Sequence, residues 1–104
     1  MKRLFKASLL ISALAFSSTA VSKNHSVIIE GMQFNPNALT IASGDTVEWV
    51  NKDIVPHTAT SASKEFNSAV IQPGGAWRHT FKKPTSLDYS CSLHPTMKAK
   101  LTIK

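Results

Sequence analysis

Cys91-Ser92-Leu93-His94-Pro95-Thr96-Met97 sets a thiol, an imidazole and a thioether at equal spacing near the end of the chain, and Cys91 is the single cysteine. A lone thiol cannot close an internal disulfide, so some other chemistry has to account for it. Thiolate, imidazole nitrogen and a weak methionine sulfur together form the donor set of a mononuclear copper site that passes one electron. His57, in Val55-Pro56-His57-Thr58, is available upstream to complete a plane of two imidazoles and one thiolate. The expected metal ligands are therefore His57, Cys91, His94 and Met97, around one copper ion that cycles between Cu(I) and Cu(II).

The residue types suit that task. Sulfur donors favour the reduced ion, and imidazoles serve both oxidation states, so one compromise geometry can hold the metal through the redox change. Pro95 biases His94 away from helical dihedrals and stiffens the short loop. Each residue alone has an ordinary reading: Cys91 as a small buried side chain, Met97 as core filler, the histidines as surface-loop residues. Zinc competes for such a set, but thioether is a poor zinc ligand and structural zinc sites usually carry more cysteines.

The elements that must position these groups are short. Val27 and Ile29 share one face, as do Leu39 and Ile41, then Val47 and Trp49 with Glu48 opposite. Trp77, His79 and Phe81 alternate with Arg78 and Thr80; Leu87 and Tyr89 lead to Cys91; Leu101 and Ile103 alternate at the end. Thr58 to Ser61 reads as a further short strand. Breaks fall at Asn35-Pro36-Asn37, Ser43-Gly44-Asp45 and Gln72-Pro73-Gly74-Gly75. Period-two runs separated by Gly, Pro and Asn predict an all-β sandwich. Only residues 63–70 have helical latitude, for one turn at most. Cys91 ends an alternating run, so the sheet would fix its direction, while His57 comes from elsewhere and would let the metal pin two segments together.

Residues 1–20 read as a cleavable export signal: a positive start at Lys2, Arg3 and Lys6, a short apolar run over Ala7 to Phe16, and small residues before a cut after Ala20 or, alternatively, after Ser22. That apolar run is too short to span a bilayer, and no second one follows. The expected domain, over residues 25–104, would be monomeric and soluble, with no membrane span. A domain this small has a marginal core, and one cysteine gives it no disulfide, so a bound metal is a plausible brace. The formal charge of +6 falls to +3 without the signal's three basic residues, and the other lysines are scattered with no aromatic-basic interleaving. Nucleic acid is not an expected partner.

Over nearly its whole mature length the chain resembles the cupredoxins, and within them the amicyanin group. Glu30-Gly31-Met32-Gln33-Phe34-Asn35-Pro36, Ser43-Gly44-Asp45-Thr46-Val47-Glu48-Trp49 and Asn51-Lys52-Asp53 resemble that group's opening strands. Pro56-His57-Thr58 resembles its first ligand segment, and Tyr89 through Met97 its ligand loop, including the two residues between histidine and methionine. The resemblance implies a Greek-key β-sandwich (cupredoxin-like), a type 1 blue copper centre, and electron carriage between redox proteins of the bacterial periplasm. A c-type cytochrome or a periplasmic dehydrogenase or reductase would then be the transient partner, and the chain itself would not be an enzyme. Thr58 stands where that group often has Asn tying the loop to the residue after the cysteine. Thr58 can still bond Ser92, through one hydroxyl, so a looser site is expected. Lys83-Pro84-Thr85 replaces a glycine-containing turn.

His94 is the expected electron port, within an apolar rim of Pro56, Pro95 and Val55. A copper transport or metallochaperone protein would use the same ligands in a more open site. His79, on the Trp77 face, reads as a half-buried histidine bonded to backbone. His25 reads as a solvated residue at a strand start. A cut after Ser22 would instead make it third in the chain, where amino terminus, two amides and imidazole can wrap Cu(II) or Ni(II) in a square plane.

Overall fold

The computed structural model describes residues 21–104. The expected export segment, 1–20, lies outside them. Eight strands form: β1 Asn24–Glu30, β2 Gln33–Asn35, β3 Ala38–Ile41, β4 Thr46–Asn51, β5 Thr60–Ser61, β6 Ala76–Thr80, β7 Thr85–Cys91 and β8 His94–Ile103. They build two four-stranded sheets, ordered β2-β1-β4-β6 and β3-β8-β7-β5. Each sheet contains one parallel pair, β1 with β4 and β3 with β8, and antiparallel pairs otherwise. The fold is the expected Greek-key β-sandwich.

Alternation decides which side chains meet between the sheets. Val27 and Ile29 of β1, Val47 and Trp49 of β4, Leu87, Tyr89 and Cys91 of β7, and Met97, Ala99, Leu101 and Ile103 of β8 are buried on the inner faces. Trp49 sits centrally, its ring 5.4 Å from both Phe66 and Trp77 and 5.7 Å from Tyr89, the last edge-on. Burial pushes the Tyr89 hydroxyl up to about 12, with the nearby Trp49 indole opposing the shift. Among the described residues the indole N–H nevertheless makes no hydrogen bond of normal geometry, so that contact is a loose one.

Residues 63–70 form no helix, within the one turn at most that was expected; the segment loops outward and then drives Phe66 into the core against Trp49. Ser61 closes that loop, its hydroxyl accepting Phe66 N–H at 3.0 Å. The strand expected over Thr58 to Ser61 shrinks to Thr60–Ser61, because the Thr58 N–H turns to the Cys91 sulfur instead of a neighbouring strand. His79 is half-buried as expected, yet it is held by stacking on Trp77, with centroids 5.3 Å apart and planes 16° from parallel. Its ring makes no hydrogen bond to backbone among the described residues.

Two features of the frame bear on the site. Gly31 and Met32 link β1 to β2 as a two-residue turn with φ of 63° and 57°. Positive φ at both positions marks the hairpin turn whose twist matches its strands. The β7–β8 hairpin turns through Ser92 and Leu93, and its register then slips: Cys91 pairs with His94, but Ser90 pairs with Lys98. Pro95, Thr96 and Met97 are thus unmatched on β8. This bulge takes Met97 out of the regular ladder while His94 stays paired with Cys91, and Met97 is buried.

Candidate metal centre

His57, Cys91 and His94 converge at one end of the sandwich, each offering a donor atom within 4.8 Å of the others. Cys91 Sγ lies 3.7 Å from His57 Nδ1 and 3.6 Å from His94 Nδ1. With bonds of about 2.0 Å to imidazole and about 2.3 Å to thiolate, a trigonal first-row ion would have S···N edges of about 3.7 Å. The observed edges fit an ion between the three atoms. The donor chemistry fits copper, and Met97, buried on the strand paired with the cysteine strand, would supply the weak fourth sulfur donor. His57 and Cys91 have no solvent exposure, whereas His94 is half-buried.

Each donor is aimed by its element. Cys91 is the last residue of β7, facing inward by alternation, and its sulfur accepts the Thr58 N–H at 3.2 Å. His57 is fixed by a backbone bridge to Ile71, with bonds of 3.2 and 2.7 Å, and by its own ring. Nε2 meets Asp53 Oδ2 at 2.7 Å, so this nitrogen carries the proton and Nδ1 presents its lone pair to the site. Asp53 is seated in turn. Its carboxylate accepts the Gly31 N–H at 2.7 Å and the Met32 N–H at 3.0 Å, the two successive amides of the β1–β2 turn acting as an anion nest. Burial alone would raise the Asp53 carboxyl. The bonds from Met32, His57 and Gly31 outweigh burial and hold it below the usual carboxylate range. Asn51, buried at the end of β4, braces the same loop, donating through Nδ2 to the Val55 and Ile71 carbonyls and accepting Asp53 N–H.

Thr58 does more than one hydroxyl was expected to do. Its Oγ1 accepts Ser92 N–H at 2.8 Å and lies 3.0 Å from both Ser92 Oγ and Thr60 Oγ1. The segments after His57 and after Cys91 are therefore tied directly. Pro95 is exposed in the bulge between His94 and Met97. His25 lies away from this cluster. Its Nε2 is 2.9 Å from Asp45 Oδ2, and Asn24 and His25 pair with Thr46 and Val47 in the sheet. Wrapping a square-planar ion would require releasing that strand end.

The sequence reading missed Asp53 and the turn it rests on. A carboxylate four residues before a ligand histidine was a weak local signal, and its amide partners lie 22 and 21 positions away. Of the expected rim, Val55 and Pro56 are half-buried and Pro95 exposed; Leu93, next to His94 in the chain, is 49% exposed, and Ile54, three residues before His57, is 93% exposed.

Comparison with known proteins gives a consistent result. Residues 21–104 match the family of copper binding proteins described as plastocyanin/azurin. The chain is 31% identical to amicyanin of Paracoccus versutus over 81 residues, covering 73% of this chain and 61% of that protein. It is 26% identical to amicyanin-alpha of Methylorubrum extorquens over 103 residues, covering 94% and 87%. Among solved structures, a purple cupredoxin from Nitrosopumilus maritimus superposes with a TM-score of 0.71 at 29% identity, covering 77% of this chain and 99% of that one. A Cu(I) amicyanin variant superposes at 0.74 and 24% identity, covering 84% and 88%, a likeness of fold alone. A copper-containing nitrite reductase from Thermus scotoductus also reaches 0.74, at 31% identity, but there the chain covers 78% of itself and 22% of the enzyme.

Proposed function

This chain belongs to the plastocyanin/azurin family of copper-binding proteins, and from that membership we propose that it is a periplasmic electron carrier without catalysis of its own, holding one type 1 copper through His57, Cys91, His94 and Met97. The observation that supports this reading is the converging trio of Nδ1, Nδ1 and Sγ at 3.6–3.7 Å edges, with the buried histidine already turned by Asp53.

Copper, when bound, supplies a one-electron couple that no side chain here offers. The residues supply everything else. Cys91 brings a soft anionic sulfur whose charge is steadied by the Thr58 amide. His57 holds its lone pair in place through Asp53, so its ring need not reorient during the redox change. His94 is the only half-exposed donor of the trio, and its outer ring edge is the short route for an electron to a partner. Leu93 and Pro95, which flank His94 in the chain, give that route exposed apolar neighbours. Such a surface suits a brief, small-area encounter with a redox protein such as a c-type cytochrome or a periplasmic dehydrogenase. Delivery of the ion itself, as by a metallochaperone, would call for an accessible donor set. The full burial of His57 and Cys91 favours retention.

The test is optical and mutational. Protein loaded with Cu(II) is expected to absorb strongly in the visible from thiolate-to-copper charge transfer. Cys91→Ser should lose that absorption, since a hydroxyl is neither soft nor readily ionised. Met97→Leu should keep both copper and colour while its reduction potential rises, because losing a weak axial sulfur disfavours Cu(II) more than Cu(I). A colourless, tetragonal Cu(II) protein would refute the carrier reading and favour transport.

A further inference from the structure

The Thr58 hydroxyl belongs to a chain of polar groups that extends beyond the ligand loops to the exposed turn after β5. Thr58 Oγ1 is 3.0 Å from Thr60 Oγ1, which is 3.2 Å from Asn67 Oδ1. The same Oδ1 is 2.9 Å from the Ala69 amide nitrogen. A backbone N–H can only donate, so Ala69 fixes which end of the Asn67 amide is oxygen.

The direction of every proton in the chain then follows. Asn67 Oδ1 can only accept, so the Thr60 hydroxyl donates to it. With its one proton committed, Thr60 Oγ1 must accept from Thr58. Thr58, its proton likewise committed, accepts on its two remaining lone pairs, from Ser92 N–H and Ser92 Oγ–H. Each hydroxyl between the ends uses its single donor, and the Thr58 oxygen is saturated. Hydrogen bonds aligned head to tail in this way polarise and strengthen one another.

We propose that Thr60 and Asn67 are positioning residues for the metal centre: a one-way relay, Ser92 to Thr58 to Thr60 to Asn67, holds the residue after Cys91 and the residue after His57 in one arrangement. The relay compensates for the missing amide at position 58. It reaches the thiolate through Thr58, whose N–H is fixed on Cys91 Sγ by the same anchoring. The relay rests on the metal-site reading only for its effect on copper; its geometry belongs to the protein alone.

Thr60 is half-buried and Asn67 exposed, so both can be replaced without opening the core. Thr60→Val keeps the shape and deletes the relay, Thr60→Ser restores the hydroxyl, Asn67→Asp keeps an acceptor, and Asn67→Leu removes it. In the metal-free protein, amide hydrogen exchange at Ser92 should quicken about threefold to tenfold in Thr60→Val and Asn67→Leu, the size expected for one lost hydrogen bond. It should stay near the parent value in Thr60→Ser and Asn67→Asp. In protein loaded with Cu(II), release of copper to a chelator should follow the same pattern, and the reduction potential should move only in the two relay-breaking variants. Equal exchange at Ser92 in all four variants would overturn the relay. So would a Thr60→Ser protein as impaired as Thr60→Val, since packing and not the hydroxyl would then be responsible. If the parent takes up no copper while the exchange pattern holds, the copper reading falls and the relay stands.

Discussion

Asp53 shows how a single side chain links a distant turn to a metal ligand. It neutralises nothing at the surface; it takes two backbone amides from the β1–β2 turn and returns one acceptor to His57. A carboxylate behind a ligand imidazole raises the donor strength of the ring and fixes its tautomer, and losing such a partner typically costs about 10–100-fold in metal affinity. Asp53→Asn should weaken Cu(II) binding within that range and raise the reduction potential, because the oxidised ion gains more from the nearby negative charge. Competition titration with a chelator measures the first effect and redox titration the second. An unchanged affinity would mean that the Gly31 and Met32 amides, and not the ring, are the partners that matter. None of this could be read from the amino-acid order alone. The four ligands were legible because their types and spacing are demanded by the ion, whereas Asp53 acquires its role only when a turn 21 positions away folds against it.

At the scale of elements, alternation was readable wherever a strand packs one face on the core, as in Val47 and Trp49 or Leu87 and Tyr89. It failed where a lone aromatic in a polar stretch does the packing. Phe66 has no periodic neighbours, so nothing marked it as core, yet it lies against Trp49, Trp77, Phe81 and Tyr89. The Ser43-Gly44-Asp45 turn was legible as a turn but not as a clasp. Asp45 is buried and accepts Lys23 N–H at 2.9 Å and Ala42 N–H at 3.0 Å, with the His25 ring at 2.9 Å. These bonds, the Lys23 amide first, lower its carboxyl to about 2. Since the folded value lies below the unfolded one, the carboxylate stabilises the fold above about pH 4. That contribution is lost as pH falls through about 2. Thermal melts of the metal-free protein should therefore lose stability over that acid window, and Asp45→Asn should flatten this part of the profile while lowering stability at neutral pH. A profile identical to the parent's would show that the clasp does not govern acid unfolding.

For the whole molecule, a small core and a single cysteine, which leaves no internal disulfide, suit a bound metal to a bracing role. His57 reaches the site from the segment between β4 and β5, while the other donors lie on β7 and β8. An ion among them would add a link between segments already joined by the Thr58 bonds to Cys91 and Ser92. An ion bound solely by the native fold at free concentration about 1,000-fold above its Kd adds about 4 kcal/mol. For a domain of this size that corresponds to a Tm increase of roughly 15–30 °C. Differential scanning calorimetry of metal-free and copper-loaded protein should show a rise no larger than that at such an excess. A Tm that did not move would deny the ion any bracing role.

That bound assumes an ion blind to the unfolded chain, and the distribution of donors argues otherwise. Cys91, His94 and Met97 lie on one hairpin, while His57 is 34 positions from Cys91. An open chain thus already holds three soft or borderline donors in a contiguous stretch able to capture Cu(I). Sandwich closure adds the fourth. Copper that arrives early would ride on the last hairpin and wait for His57, and the gain from folding would be that one imidazole's share. Ligand spacing along the chain thus allows copper to bind before the sandwich closes.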